Sequence, residues 1–402
     1  MIRGLLFKLI SIVFFVSYYS SILVAAYETD QLFRQRFKLN SLDYIEDSLR
    51  KATYEGNQLE GGYGRIFIVY DTYTEKDVLV KISSLSDNTD WLTFYMESLG
   101  LNELEHPNLL QGYGSYLVNL DPKNSKVGIA HVMEYLDRDL HQHIATHGAL
   151  KTSEIKKQMG PIVSALTYLA TNTLVHFDIK LENIMVKYQK GSTQSIAKLA
   201  LGDFGGLRML LPQQSSVTQR KHGMTMTAVY APKEALFNHH PKSKTRNSSL
   251  KPGHLNEKSD VWSFALLLYV LNQQKYLLSS SSHVPSEQIQ EIRKDLLTRF
   301  ARDDGGCCWS NWQISRIDSD LLNMLDKMLR FNPEDRISMA EVESSGFFWQ
   351  SSREQRQLPM RAQKLFKLWP NLTPERIERL LLELGKFWDN KIKLEVGSSI
   401  EI

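Results

Sequence analysis

Between about residue 52 and residue 135 the chain alternates short β-branched and aromatic runs with polar turns. Val78-Leu79-Val80-Lys81 and Ala130-His131-Val132-Met133-Glu134 are its clearest strands. Five strands and one helix, running through Glu97 to Leu104, are expected there. From Leu136 to about Gln350 the pattern becomes mainly helical, over Thr152 to Thr171 and Val261 to Asn272 in particular. A hairpin is predicted over Lys187 to Ala197, where Gly191-Ser192 supplies the turn, and a loop is predicted at Ser279 to Ser282. Residues 27–51 read as a short helical extension. Beyond residue 350, Ile377, Leu380, Leu381, Leu384 and Trp388 recur at helical spacing, which predicts an amphipathic helix packed in cis. There are no internal repeats.

The N-terminus adds a different pattern. Arg3 and Lys8 precede an uncharged stretch from Leu9 to Tyr27 that ends in the small residues Val24-Ala25-Ala26. This fits a secretory signal peptide over residues 1–26, cleaved after Ala26. At ~1.5 Å per residue the same stretch nearly crosses a ~30 Å hydrocarbon layer, so an uncleaved type II signal anchor is the alternative, with a buried core helix behind it. Either leading reading places the remaining chain in the secretory pathway, secreted or lumenal, with membrane attachment confined to residues 9–27.

Composition narrows the classes further. The 402 residues are 42% hydrophobic and 23% charged, which supports a large core rather than disorder. A net charge of +3 gives no general electrostatic case for nucleic acid or membrane-surface binding. The basic run from His239 to Lys258 reads as a solvated loop. Cys307 and Cys308 are the only cysteines and are adjacent, so there is neither a disulfide framework nor zinc-ligand spacing. Asn247 and Asn371 lie in sequons that matter only if the chain enters the endoplasmic reticulum.

The densest chemistry lies in His176-Phe177-Asp178-Ile179-Lys180-Leu181-Glu182-Asn183, followed by Asp203-Phe204-Gly205. Asp178 can accept a hydroxyl proton, Lys180 can offset charge on a moving phosphoryl group, and Asn183 and Asp203 offer oxygen donors suited to a hard cation. Upstream, Leu59-Glu60-Gly61-Gly62-Tyr63-Gly64-Arg65-Ile66-Phe67 reads as a tight turn between strands, whose glycines let backbone amides close over phosphates. Taken alone, such a hairpin is more often just a turn. The segments His176 to Asn183 and Asp203 to Gly205 together resemble the catalytic and magnesium loops of the eukaryotic protein kinases, serine/threonine type.

That resemblance covers roughly Thr53 to Gln350. It implies an α+β, bilobal fold, with a small β-rich lobe over 52–135, a large helical lobe over 136–350 and a helical extension over 351–402. It implies ATP and Mg2+ as cofactors and a protein substrate with a serine or threonine acceptor; a monomer is expected. Asp178 and Lys180 would be catalytic, and Asn183 and Asp203 would hold metal. Lys81 would grip the phosphates, paired with Glu97 in preference to Glu103 or Glu105. Leu59, Gly61 and Gly64 would cover the nucleotide. Ile66 and Leu79 would lie above adenine and Met185 below it, with Met133 behind the ring and backbone groups of Glu134 and Leu136 along its edge. Thr227 would bond Asp178 and Lys180, Asp260 would brace the catalytic loop, and Glu234 and Arg336 would form a buried pair in the substrate framework.

Four positions depart from the family pattern. Leu59 replaces the first glycine of the phosphate loop, and Leu79 replaces a small alanine. Phe177 stands where many kinases carry an arginine that pairs with a phosphorylated activation loop, so activation by that route is not expected. Lys233 interrupts the usual Ala-Pro-Glu ending, which implies either a one-residue shift of the loop or a different substrate floor. Two rivals follow: a pseudokinase scaffold that binds nucleotide or partners without catalysis, and a small-molecule kinase, against which Thr227, Glu234 and Arg336 speak.

Overall fold

Val78, Val80 and Ile82 point to one face of their strand and are buried, whereas Leu79, Lys81 and Ser83 point to the other. The computed structural model describes residues 30–39, 44–52, 59–61, 64–84, 91–121, 126–210, 216–218, 226–227, 229–236, 254–276, 317–330, 332–349 and 357–367. The chain divides into two compact units. The first takes residues through Glu103, Gln111–Tyr135 and the segment from Met360; the second takes Leu104–Leu110 and Leu136–Pro359.

The first unit is built on a five-stranded antiparallel sheet of order β1-β2-β3-β5-β4. The strands are β1 (Leu59–Gly61), β2 (Gly64–Asp71), β3 (Lys76–Ser84), β4 (Gly112–Asp121) and β5 (Lys126–Glu134). Its register sets Lys81 opposite Ile66 and His131, and Leu79 opposite Met133. The face carrying Val78, Val80 and Ile82 also presents Phe67, Tyr116, Val118 and Val132. It is covered by Phe33 and Phe37, from α1 (Asp30–Arg36) and its C-terminal end, and by Ile45 and Leu49 of α2 (Ile45–Ala52). Each such side chain contributes about 1.5–3 kcal/mol on burial, so the extension is part of the core rather than an appendage.

An ion pair fixes this cover. Arg36 Nε and Nη2 donate to the two oxygens of Asp71 at 2.8 and 2.6 Å, and Nη1 donates to the Tyr116 hydroxyl at 2.8 Å. Asp71 also accepts from the Tyr73 and Thr74 amides at 3.1 and 3.2 Å, closing the β2–β3 turn. The helix α3 (Trp91–Glu103) lies against β4, and the C-terminal helix Met360–Phe366 packs against α3, with Arg361 Nε 3.1 Å from Glu103 Oε1.

The second unit is mainly helical. It contains α4 (Leu140–His147), α5 (Thr152–Gln158), α6 (Gly160–Thr171), α7 (Lys233–Leu236), α8 (Glu257–Gln273), α9 (Ser319–Met328) and α10 (Met339–Ser344). The single helix expected over Thr152 to Thr171 is two, because Pro161 has no amide hydrogen to donate and its ring clashes with the carbonyl of the preceding turn. Asn256 caps α8, accepting from the Lys258 amide at 3.0 Å, so this helix starts four residues before the expected Val261. It is buried continuously from Ser259 to Leu271. Short strands β6 (Arg138–Asp139), β8 (Ile184–Tyr188) and β9 (Ile196–Leu201) form one sheet, while β7 (Leu174–Val175) pairs with β10 (Arg208–Met209). The expected hairpin joins β8 to β9, with Gly191 at φ 79°.

Residues 1–29, both sequons, the cysteine pair, the Ser279 to Ser282 loop, most of the basic run and the helix expected from Ile377 to Trp388 lie outside the described residues. Among the described residues no helix is long and apolar enough to cross a membrane.

Candidate active site

After β7 the chain turns sharply, and Asp260 holds the turn. Buried in the first turn of α8, its carboxylate accepts from the His176 amide at 2.7 Å and the Phe177 amide at 2.9 Å. Pointing both amides at one carboxylate goes with a left-handed Phe177, φ 65°, which costs a non-glycine residue about 1–2 kcal/mol. The Phe177 ring offsets this by full burial. Burial pushes the Asp260 carboxyl up to about 7, against the two amide donors that favour its charged form. His176 Nε2 lies 3.1 Å from the Gly202 carbonyl, and Nδ1 accepts from the Asp178 amide at 3.3 Å. Burial holds this imidazole below its ordinary pKa, so it is neutral with the proton on Nε2.

The loop so braced carries Asp178. Its Oδ2 accepts from Lys180 Nζ at 2.6 Å and Asn183 Nδ2 at 3.1 Å, and its Oδ1 accepts from Thr227 Oγ1 at 2.8 Å and the Thr227 amide at 3.2 Å. Lys180 Nζ also donates to Thr227 Oγ1 at 3.1 Å. Burial alone would lower the Lys180 ammonium, but the Asp178 carboxylate beside it raises it overall, so it stays charged. Asp178, Lys180 and Thr227 therefore form a closed triangle of charge-assisted hydrogen bonds across 49 residues of sequence.

Asn183 spends its amide hydrogens on Asp178, donating also to the Asp178 carbonyl at 2.7 Å, which orients Oδ1 as its ligand atom. The Gly202 amide donates to the Asn183 carbonyl at 2.8 Å, so the loop bearing Asp203 is bonded to the one bearing Asn183. Asp203 is itself left-handed, at φ 61°. Gly206 lets the two loops meet, since a Cβ there would lie 2.7 Å from the His176 carbonyl oxygen. One amide oxygen and one carboxylate on adjoining loops form an all-oxygen donor set. Among the described residues no cluster of three or more His, Cys, Asp or Glu side chains can hold a metal ion, so further ligands would come from water and phosphate oxygens. That division suits magnesium.

In the first unit β1 pairs with β2, setting Gly61 opposite Gly64 and Leu59 opposite Ile66. Lys81 Nζ lies 3.7 Å from Glu97 Oε1. Of the two competing glutamates, Glu103 pairs with Arg361 and Glu105 lies exposed beyond the helix. Met133 is buried opposite the half-buried Leu79. The Glu134 amide donates to the Gln111 carbonyl at 2.9 Å, and its carboxylate accepts from the Gln111 amide at 3.0 Å. Leu136, buried, and Met185, half-buried on β8, belong to the second unit.

Glu234 and Arg336 form a buried bidentate pair, at 2.7 and 2.9 Å. The Arg336 guanidinium lies 4.8 Å over the Trp262 ring, and Ser259 Oγ donates to Glu234 at 3.2 Å. The glutamate in this pair is thus the one that follows Lys233. Two residues escaped the sequence reading. Arg208, fully buried, donates to the carbonyls of Gly205 and Leu207 at 2.9 and 2.8 Å, stiffening the loop after Asp203. His131 lies beside Lys81 in the sheet, and its only signal in the sequence is a histidine between Ala130 and Val132.

Comparison with known proteins bears on the family of the chain. Residues 57–348 match the family described as protein kinase domain. Mitogen-activated protein kinase 4 of Homo sapiens is 23% identical over 295 residues, covering 69% of this chain and 47% of the relative. Dual specificity protein kinase Ttk of Danio rerio is 28% identical over 243 residues, covering 60% and 22%. Cell division control protein 2 homolog 3 of Trypanosoma brucei brucei is 25% identical over 299 residues, covering 69% and 86%. The chain spans less than half the length of the first two relatives.

Proposed function

We propose that this chain, which belongs to the protein kinase family and has its bilobal α+β fold, transfers the γ-phosphate of ATP to serine or threonine hydroxyls of protein substrates. The observation that carries the reading is the Asp178–Lys180–Thr227 triangle. Protein kinase domains use ATP with magnesium, which when bound neutralises charge developing on the phosphate oxygens. Here Asn183 and Asp203 would hold it. Lys81, aligned by Glu97, would hold the α- and β-phosphates.

Asp178 accepts four hydrogen bonds, from Lys180, Asn183 and the Thr227 hydroxyl and amide, which fill its lone-pair positions; the longest, from the Thr227 amide at 3.2 Å, gives way as the carboxylate takes the proton of the incoming hydroxyl, whose oxygen bonds to the γ-phosphorus while the bond to the bridging oxygen breaks. Lys180 stays charged and balances the transferred phosphoryl group. Because the transition state is loose, positioning and electrostatics supply most of the acceleration. A serine or threonine acceptor is supported by Thr227, whose hydroxyl bonds both Asp178 and Lys180.

Asp178→Ala is expected to lower turnover by at least ~10²-fold while the circular dichroism spectrum and melting temperature stay near wild type. Retained turnover would refute the role given to Asp178. We also propose, from residues 1–26 alone, entry into the secretory pathway. N-terminal sequencing of the product from a secreting cell tests it, and an intact Met1 on a soluble cytosolic product would refute it.

A further inference from the structure

His131 lies in β5 directly opposite Lys81 on β3 and Ser115 on β4. Opposed residues of antiparallel strands share a face, so its imidazole lies on the same side of the sheet as the Lys81 side chain. It is 0% exposed. Nδ1 is 2.9 Å from Ser115 Oγ, which in turn accepts from Asn102 Nδ2 at 2.8 Å. Asn102 Nδ2 also donates to the carbonyl of Ser98, the residue after Glu97, at 2.9 Å. The bond closes with either neutral tautomer, since Nδ1 can accept the Ser115 proton or donate to the lone pair that the Ser115 oxygen retains beside its bond from Asn102.

Two further observations single this chain of bonds out. Nε2 of His131 has no hydrogen-bond partner among the described residues, a costly state for a buried polar atom in a strand whose neighbours Ala130 and Val132 are apolar. And α3 is pressed onto β4 where the chain of bonds crosses, since a Cβ on Gly112 would lie 2.6 Å from the Leu101 carbonyl oxygen and 2.8 Å from Asn102 Oδ1.

We propose that His131 is a positioning residue for nucleotide phosphates: through Ser115 and Asn102 it ties the last turns of α3 to the sheet and holds Glu97 within reach of Lys81. Removing the tie lets α3 slide, and Glu97 lies about a turn and a half before its anchor at Asn102. The ring performs this role neutral. Burial, then the nearby Lys81 ammonium, hold its pKa down to about 3, so no second cation competes with Lys81 for Glu97 at ordinary pH.

The inference rests on the kinase reading, so its test includes a measurement that needs no catalysis. In the full chain, His131→Leu removes the bond to Ser115 and keeps the volume, whereas His131→Asn places an amide where Nδ1 was. MgADP affinity by calorimetry is expected to fall about tenfold in His131→Leu and no more than about threefold in His131→Asn, because only the second retains the link to Ser115. Amide exchange over residues 98–103 is expected to speed up at least about tenfold in His131→Leu alone.

Combined with Glu97→Gln, His131→Leu is expected to add no further loss, since both act on one interaction. Equal losses in the two His131 variants, multiplicative losses with Glu97→Gln, or unchanged exchange would overturn the proposal. Ser115→Ala breaks the same link from the other strand and decides the matter, by the same criteria, should His131→Leu not fold. A wild-type chain that binds MgADP but transfers no phosphate would sink the kinase reading and leave this inference standing. A wild-type chain that binds no MgADP would overturn both.

Discussion

Thr227 donates its hydroxyl hydrogen to Asp178 Oδ1 at 2.8 Å while its oxygen accepts from Lys180 Nζ at 3.1 Å. One hydroxyl thereby joins the proposed base to the proposed charge-balancing lysine, and no apolar residue of similar size reproduces it. Thr227→Val is expected to lower kcat by about 10–100-fold with a small change in the KM for ATP, and Thr227→Ser to recover most of the loss, since a serine hydroxyl serves the same two partners. Steady-state kinetics on the three proteins check this. Equal defects in Val and Ser would assign the residue to packing.

The pH dependence of stability follows from three buried groups, His131, His176 and Asp260. His131 and His176 are held below the ordinary histidine pKa by burial, so below pH 6.5 the unfolded chain takes up two protons that the folded chain refuses, and stability falls as pH falls. Asp260, raised to about 7, works in the opposite sense, because below that pH the folded chain takes a proton that the unfolded chain refuses until its ordinary pKa. Between roughly pH 6 and pH 4 the His131 and Asp260 contributions oppose each other, and His176, lowered by burial, tips the net toward a loss of stability as pH falls. Denaturant titrations across that window measure the slope, and His131→Asn should flatten it by about one proton's worth. A slope unchanged by that substitution would contradict the neutral, buried state of the ring.

Arg36 and Asp71 were invisible as a pair in the sequence. They lie 35 residues apart, in a helix and at a strand end, and neither periodicity nor a motif links them. Arg36→Ala leaves Asp71 buried without its cation and is expected to cost about 3–5 kcal/mol, whereas the double substitution Arg36→Met, Asp71→Asn should recover part of it. Urea unfolding of the single and double variants tests the coupling. Additive losses would show that the pair contributes nothing of its own. A chain begun at residue 53 loses Phe33, Phe37, Ile45 and Leu49 from the sheet's apolar face and should not unfold cooperatively.

Glu234 and Arg336 meet across 102 residues in a buried site backed by Trp262. Glu234→Gln should lower the melting temperature by several degrees, the equivalent of about 3 kcal/mol, with turnover falling in step with the folded fraction. Turnover lost at a temperature where the variant remains folded would give the pair a role in substrate binding beyond support.

What the sequence revealed and what it hid divide along physical lines. Asp178, Lys180, Asn183 and Asp203 were legible because the loops carrying them are local, and the chemistry demands those residue types at close spacing. The five strands were legible from β-branched runs, and Glu97 from its place in the next helix. The break at Gly160-Pro161 was also written in the chain, since proline inside a helical pattern interrupts it, but the apolar period on both sides masked it. His131 was hidden because its partners, Ser115 and Asn102, lie on other elements, and only the strand register brings the three together. The left-handed Phe177 was hidden for a similar reason, as its conformation answers to Asp260, 83 residues away.

The most direct test of the central claim is transfer of radiolabelled γ-phosphate, with magnesium, from ATP to a mixed protein substrate by residues 27–402, beside an Asp203→Ala control. Label on serine and threonine that disappears in the control is the predicted result. No transfer above the control by a folded protein that binds ATP would contradict the account and favour a nucleotide-binding scaffold.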